Sequence, residues 1–176
     1  MSNEILVLGG TGKTGRRIVA RLTDLGLPVR IGSRNANPAF DWEKQSTWLD
    51  VLLQIDKVYI SFQPDLAIPG SAEKINEFVN AARQSGVKQM VLLSGRGESE
   101  AQQCENVIMN SQLDWSIVRP SWFMQNFSEG FLMDGIMSGH LVLPPINARE
   151  PFIDADDIAD VVTKLSRMAL FFVDIC

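Results

Sequence analysis

The chain has 176 residues, of which 45% are apolar and 21% are charged, and its formal net charge is −5. This balance is typical of one globular domain with a sizeable core, and it excludes a disordered chain. The acidic total and the absence of a basic cluster disfavour nucleic-acid binding. Apolar runs such as 58–62 are too short to span a membrane, and no basic segment leads into an apolar one near the first residue. We therefore expect a cytoplasmic protein.

Strand-like and helix-like segments alternate up to Pro120, which predicts parallel strands joined by crossover helices. The β-branched and aliphatic runs predict strands at 5–8, 29–31, 39–41, 57–62, 89–94 and 115–119. Apolar spacing and terminating glycines predict helices at 13–25, 46–53, 72–85 and 100–110. After Pro120 we expect a helix over 121–137, an extended stretch over 140–145 and a last helix capped by Asp154. The fold class is therefore α/β, a doubly wound parallel sheet with helices on both faces.

The segment "LGGTGKTG" at residues 8–15 resembles two kinds of phosphate-binding loop. A nucleoside-triphosphate loop requires a glycine five places before Gly12, and that place is Val7 in the first strand. A dinucleotide loop requires glycines for the turn, for the approach of the pyrophosphate and for helix packing. Gly10, Gly12 and Gly15 satisfy this pattern, and Gly9 satisfies its variant. Because the loop also follows a strand and opens a helix, the sequence predicts dinucleotide binding.

The end of the second strand indicates which dinucleotide is bound. A carboxylate usually binds the adenosine ribose there, but no Asp or Glu occurs between Asp24 and Asp41. Ser33 and Arg34 stand at this place instead. Because a guanidinium group binds phosphate through parallel hydrogen bonds, we expect NADP(H) in preference to NAD(H).

Five segments in order resemble one protein family: "LVLGGTGKTGRRIVARL", "SRN…FDW", "GVKQMVLLSGRG", "DWSIVRPSWFMQNF" and "PFIDADDIADVV". They resemble the NmrA-like family of atypical short-chain dehydrogenase/reductases over about residues 4 to 165. The resemblance implies a Rossmann fold with sheet order 3-2-1-4-5-6. It also implies a cofactor lying along the C-terminal ends of the strands.

The resemblance assigns roles to individual positions. The phosphates would meet the glycine loop, that is, Gly9, Gly10, Thr11, Gly12, Lys13, Thr14 and Gly15. The adenosine ribose would meet Ser33 and Arg34, the adenine Asp41 and Trp42, and the middle of the cofactor Ser61, Phe62 and Gln63. The nicotinamide would lie near Ser94, Gly95, Pro120, Ser121, Trp122 and Phe123. Gln125 and Asn126 would point toward the substrate.

The chain departs from the related dehydrogenases in its catalytic residues. Those enzymes use a Tyr-x-x-x-Lys pair, whereas the only tyrosine here is Tyr59, with Gln63 four places later. The helix expected to carry the pair reads "SEAQQCENVIMN" and holds neither residue type. The catalytic residue is thus unidentified, and the weak candidate is Ser94, whose unassisted hydroxyl is a poor acid. The sequence has no cluster of cysteine and histidine residues, so we expect no metal site.

The second departure concerns length. Family members continue further and build a lid over the substrate, so the resemblance implies a C-terminally truncated chain. We expect one NAD(P)-binding Rossmann domain over 1–176, in which residues 121–176 begin an incomplete substrate-binding region. The apolar "ALFFV" near the end is either an exposed patch or an added core element.

Two functions are compatible with these features. The first is NADPH-dependent hydride transfer to an electron-poor small molecule such as a quinone or an iminium, which needs no tyrosine acid. The "GGTGKT" and "FDW…STW" stretches look closest to ergot-alkaloid dehydrogenases and to bacterial quinone or azo reductases. The alternative is a non-catalytic NADP(H) sensor of the NmrA type with a regulatory protein as its partner. A homodimer remains open in either case.

Overall fold

The computed structural model describes residues 4–130, 132–143, 149–168 and 171–175, the last five as backbone only. Its strands are β1 (Glu4–Leu8), β2 (Val29–Gly32), β3 (Ile55–Ile60), β4 (Gln89–Leu93), β5 (Asp114–Pro120), β6 (Trp122–Phe123), β7 (Phe152–Ile153) and β8 (Phe171–Ile175). Its α-helices are α1 (Lys13–Asp24), α2 (Trp48–Leu52), α3 (Ser71–Gln84), α4 (Ser99–Met109), α5 (Met133–Met137) and α6 (Ala155–Leu165). No described helix is long and apolar enough to cross a membrane.

Six strands form one parallel sheet in the order β2-β1-β3-β4-β5-β8. This is the expected order without its third strand and with one strand added beside β5. Helices cover both faces of the sheet: α2, α3 and α4 pack on one face, and α1 and α6 on the other. The doubly wound Rossmann fold that the alternating pattern predicts is therefore confirmed.

The strand expected at 39–41 does not form, and that prediction is wrong. Phe40 N donates to Ser33 O in a turn, and the Phe40 ring is buried 4.9 Å from the ring of Trp42. The backbone of 39–41 is folded back by this turn and pairs with none of the described strands, while Phe40 and Trp42 pack against Phe78 of α3. The turn and the aromatic contacts hold this segment away from β2, which forms the edge of the described sheet.

The stretch 121–137 is not one helix, and this prediction is also wrong. Trp122 and Phe123 pair in parallel with Phe152 and Ile153, which removes them from helical geometry. A 3₁₀ turn over Met124–Asn126 follows, and among the described residues of this stretch only those of α5 are α-helical. Residues 140–143 have no regular structure, and 144–145 lie outside the described residues.

Helix α6 packs on the sheet, and strand β8 extends it. The Asp154 carboxylate accepts a hydrogen bond from Asp156 N at 2.8 Å, so the predicted N-cap of α6 is confirmed. Residues 171–175 of the apolar tail form β8, which pairs in parallel with β5. The tail is thus an added element of the sheet, while residues 169–170 lie outside the described part of the chain.

Candidate functional site

The turn between β1 and α1 is built from closely packed glycines. Gly9 has a φ of +68°, and its carbonyl oxygen accepts a hydrogen bond from Gly12 N at 2.8 Å. A Cβ added at Gly15 would lie 2.1 Å from the Gly9 carbonyl oxygen, and one at Gly10 would lie 2.9 Å from Ile31 Cγ2. A side chain at either position would force the turn apart, so this tight loop requires glycine there.

Helix α1 begins directly after this turn, with Gly12 as its N-cap. None of the described side chains caps the helix, so its first N–H groups are left for a ligand. These N–H groups and the positive end of the helix dipole attract an anion. The loop and helix together therefore fit a diphosphate group.

A cleft of about 460 Å³ opens beside this turn. It lies at the C-terminal ends of β1, β2 and β3, where the order of the sheet reverses between β1 and β3. Ligands of open α/β sheets bind at such a reversal. The cleft is lined by Gly9, Thr11, Gly12, Gly32, Ser33, Arg34, Asn35, Phe40, Asp41, Trp42, Glu43, Ser61, Gln63 and Pro64.

The charged residues of the cleft differ in their partners. The Glu43 carboxylate pairs with Lys74 Nζ at 2.7 Å, and the Asp41 carboxylate accepts a hydrogen bond from Glu43 N at 3.0 Å. Arg34 is exposed, and its side chain has no ion pair or hydrogen bond with the described residues. The guanidinium group of Arg34 is therefore the uncommitted charge among the described residues of the cleft.

An aromatic wall closes the cleft on the side of the turn after β2. The Trp42 ring is 94% buried and lies 4.8 Å from the ring of Phe62 and 6.0 Å from that of Trp48. Its indole Nε1 donates to the carbonyl oxygen of Ser61 at 3.4 Å. Aromatic packing and this hydrogen bond hold a flat apolar surface at one end of the cleft, which suits a planar base.

A family model for NAD(P)H binding matches residues 9–167, which include the whole of this cleft. The chain belongs to the NAD(P)H-binding family. Its membership agrees with the glycine turn, the uncapped helix and the position of the cleft at the reversal of the sheet.

Several similar curated proteins are named as dehydrogenases or reductases. The chain is 33% identical to festuclavine dehydrogenase of Aspergillus fumigatus, over 89% of this chain and 60% of that protein. It is 27% identical to the NAD(P)H azoreductase of Xenophilus azovorans, over 91% of this chain and 62% of that protein. The chain thus spans about 60% of the length of the curated relatives it matches.

The fold also recurs among solved structures. A nucleoside-diphosphate-sugar epimerase of Staphylococcus aureus superposes with a TM-score of 0.81 at 18% identity, over 98% of this chain and 70% of that one. Identity at this level shows the shared Rossmann fold alone. The specific chemistry of this NAD(P)H-binding protein has to be sought in its own residues.

The cleft brings together many of the residues that the sequence and the resemblance single out. They are Gly9, Thr11, Gly12, Ser33, Arg34, Asp41, Trp42, Ser61 and Gln63. Gly10 and Gly15 pack inside the glycine turn, and Phe62 lies behind Trp42. The structure places these three as supports of the cleft, not as part of its lining.

Lys13 and Thr14 open helix α1, but other side chains engage them. Lys13 Nζ donates to Asn126 Oδ1 at 3.0 Å, and the Thr14 hydroxyl lies 2.9 Å from the hydroxyl of Tyr59. Tyr59 is fully buried in β3, and burial raises the pKa of its hydroxyl above the ordinary value.

The Gln125 amide donates to Asp154 and accepts from Ala155 N. Gln125 therefore fastens the start of α6, and Asn126 holds Lys13.

The residues expected near the nicotinamide follow β4 and β5, at the same edge of the sheet as the cleft. They are Ser94, Gly95, Pro120, Ser121, Trp122 and Phe123, and none of them lines the cleft itself. The Ser121 hydroxyl is buried without a hydrogen-bond partner among the described residues, and Trp122 is 38% exposed. These positions lie along the continuation of the sheet edge beyond β3.

A buried polar network surrounds Ser94. The Ser94 hydroxyl lies 2.5 Å from Glu105 Oε1, and the Glu105 carboxylate also accepts from Arg119 Nε at 2.9 Å and from its Nη2 at 2.5 Å. Glu105 is 1% exposed. The network links β4, α4 and β5 beneath the end of the sheet.

Several residues of this region are not identified by the sequence reasoning. Asn35, Phe40, Glu43 and Pro64 line the cleft, and each lies within two places of a predicted residue along the chain. Glu105 gives only a weak signal, since it lies with Ala101, Cys104 and Ile108 on the apolar face of α4. Within the described residues, no group of acidic, histidine or cysteine side chains is arranged to hold a metal ion.

Proposed function

We propose that the protein binds NADP(H) in preference to NAD(H), and Arg34 is the residue that supports this proposal. It is the uncommitted charged side chain among the described residues of the cleft, whereas Asp41 and Glu43 are occupied by a backbone N–H and by Lys74. A free guanidinium group binds a 2′-phosphate, while a free carboxylate would bind ribose hydroxyls. The pyrophosphate would rest on the glycine turn and the first N–H groups of α1.

We further propose that the protein is an oxidoreductase whose substrates are electron-poor acceptors such as iminium ions, quinones or azo compounds. The relatives named as a dehydrogenase and an azoreductase support this reading. When bound, the reduced cofactor supplies a hydride, that is, a proton and two electrons, and is left as NADP⁺. An iminium carbon that gains the hydride becomes a neutral amine without a further proton. A quinone and an azo group each take one proton from water as well, giving a hydroquinone and a hydrazine.

The side chains support acceptors that need no protein acid. Tyr59 is the sole tyrosine, and it is buried against Thr14. The Ser94 hydroxyl is already bonded to Glu105. What the protein contributes is then the binding and orientation of the two reactants, a source of large rate enhancements.

The test combines binding with turnover. Calorimetric titration with NADPH and NADH measures cofactor preference, and a rise in Tm with NADPH reports binding to the folded state. Oxidation of NADPH is then followed as the loss of absorbance of the reduced cofactor, with a quinone, a cyclic iminium ion, an azo dye and a simple ketone as acceptors. We expect tighter binding of NADPH and turnover with the first three only. Equal affinity for both dinucleotides would refute the NADP(H) preference.

The second candidate is a cofactor sensor without turnover. The observation in its favour is that Tyr59 is completely buried and that the Ser94 hydroxyl already donates to Glu105, so neither hydroxyl is placed to give a proton to a substrate. Tight NADPH binding with no oxidation by any acceptor of the panel would support the sensor and refute the enzyme.

A further inference from the structure

We propose that Ser94 accepts a hydrogen bond from the carboxamide N–H of the nicotinamide, and that Glu105, held by Arg119, is the positioning residue that fixes Ser94 in this role. The inference rests on the proposed function, because it concerns the nicotinamide half of a bound NADP(H). The sequence suggests Ser94 only as a weak acid, whereas the inference makes its hydroxyl a hydrogen-bond acceptor for one group of the cofactor.

The hydroxyl proton of Ser94 lies on the side of Glu105 and is not available to a ligand. A serine hydroxyl has one proton and two lone pairs. The 2.5 Å separation between Ser94 Oγ and Glu105 Oε1 requires a proton between the two oxygens. Glu105 has none to give, since both of its carboxylate oxygens accept hydrogen bonds from the Arg119 guanidinium. The hydroxyl of Ser94 is therefore the donor, and only its lone pairs remain for a ligand.

The burial of the Glu105 carboxylate keeps it hydrogen-bonded to Ser94. Glu105 is 1% exposed, and Arg119 enters the pair from the end of β5. A rotation of Glu105 away from Ser94 would leave a buried charge without its hydrogen bonds, which is costly. The backbone N–H of Ser94 is also occupied, because it donates to Val118 O at 2.8 Å. Ser94 thus offers acceptor atoms and no donor.

The place of Ser94 in the sheet indicates which group it meets. Ser94 directly follows the last residue of β4, at the carboxyl edge where dinucleotides lie. The cleft at β1, β2 and β3 fits the adenosine and phosphate portions, so the nicotinamide extends toward β4 and β5. Its carboxamide carries both an N–H₂ donor and a carbonyl acceptor. An acceptor-only serine selects the N–H₂ group and thereby fixes the rotation of the carboxamide.

The experiment compares NADPH with its 3-acetylpyridine analogue in the reduced form, in which a methyl group replaces the carboxamide N–H₂. Calorimetric Kd values are measured for the wild type, for Ser94→Ala and for Ser116→Ala. Ser116 is a matched control, since its hydroxyl is buried in β5 without a partner among the described residues. We expect Ser94→Ala to weaken NADPH binding about fivefold to tenfold and to leave binding of the analogue unchanged. Ser116→Ala should change neither.

A second variant tests the positioning role. Glu105→Gln keeps the size of the side chain but replaces one oxygen by a donor, so the Ser94 proton is no longer held in one direction. The ratio of the two Kd values should then shift toward that of Ser94→Ala, while a loss of stability alone would weaken both ligands equally. Tm measurements with and without each ligand show whether the Glu105→Gln variant is folded.

The outcomes separate the two proposals. A wild-type protein that binds neither NADPH nor the analogue overturns the proposed function and this inference with it. A wild type that binds both, combined with an equal loss or no loss in Ser94→Ala, overturns the inference alone. An unchanged Kd ratio in a folded Glu105→Gln protein overturns the positioning role of Glu105.

Discussion

The hydroxyl groups of Thr14 and Tyr59 lie 2.9 Å apart and join the first turn of α1 to the middle strand β3. Thr14 is 4% exposed and Tyr59 is completely buried. The sole tyrosine of the chain therefore supports the glycine turn from below. Tyr59 therefore has a structural role in this protein, and not the role of the acid that the resemblance assigns to a tyrosine in related dehydrogenases.

Replacing Tyr59 by Phe tests this assignment. The change leaves the buried Thr14 hydroxyl without a partner, so the free energy of unfolding should fall by about 1 to 2 kcal/mol in a denaturant titration. The double variant Thr14→Val/Tyr59→Phe removes both polar groups and should recover part of this loss. Turnover of an iminium acceptor at saturating NADPH should persist in Tyr59→Phe. Abolished turnover in a variant of unchanged stability would instead identify Tyr59 as the proton donor.

Arg34→Ala should reduce affinity for NADPH and spare NADH. The guanidinium group is exposed, so the lost charge-assisted hydrogen bonds to the 2′-phosphate should raise the Kd about tenfold. Calorimetry with both dinucleotides measures the effect. Arg83→Ala is the matched control, because it removes the same charge from an exposed position near the C-terminus of α3. A similar loss for both cofactors would show that Arg34 does not read the 2′-phosphate.

Gly15→Ala should damage the phosphate site. The new Cβ would meet the Gly9 carbonyl oxygen at 2.1 Å, so the turn must open and the N–H groups of α1 must shift. Overpacking of this kind costs about 1 to 3 kcal/mol, which corresponds to a rise in the Kd for NADPH of about fivefold or more. Ala20→Ser changes an exposed position of the same helix and serves as the control. Unchanged NADPH affinity in Gly15→Ala would exclude the turn as the phosphate-binding element.

An ion network between α1 and α6 should make stability depend on acid pH. The Asp156 carboxylate accepts hydrogen bonds from Arg17 and Arg21, each at 2.9 Å, and these bonds hold the pKa of Asp156 below its ordinary value. Because the pKa of Asp156 is lower in the folded state, its carboxylate stabilises the folded protein at pH values above the unfolded-state pKa. That unfolded-state pKa is near 3.9 for Asp. The stabilisation is lost as the pH falls through the folded-state pKa.

Asp156→Asn measures this contribution. Asp156 is half-exposed, so solvent screening limits the loss at neutral pH to about 0.5 to 1 kcal/mol, or about 2 °C in Tm. The difference from the wild type should shrink as the pH falls below about 4. Asp157→Asn removes an exposed carboxylate from the same helical turn and should change Tm less. A difference that stays constant down to pH 2 would contradict the linkage to Asp156.

Local features of the sequence were sufficient for the core of the fold. The glycine turn, the helix that follows it and the Asp154 cap depend on residues within a few places of one another, so their patterns are readable in one dimension. Alternating strand and helix segments predict the parallel sheet because each crossover constrains only neighbouring elements. The missing carboxylate after β2 is likewise visible from the sequence alone.

The tertiary structure decided every feature that joins distant residues. Residues 39–41 read locally as a strand, yet the turn from Ser33 to Phe40 and the packing of Phe40 against Trp48 and Phe78 keep this segment out of the sheet. Glu105, which bonds to Ser94, and Arg119, which bonds to Glu105, lie 11 and 25 places from Ser94 along the chain, and no periodicity relates the three.

Lys13 shows the same division. Its place in the glycine loop suggests a phosphate contact, but the fold brings Asn126 within 3.0 Å of its ammonium group. The sequence alone predicts a ligand that carries phosphate, because a phosphate-binding turn is a local backbone shape. Which side chains remain free to act on that ligand was decided only by packing, since hydrogen bonds and ion pairs form between whichever groups the fold brings together.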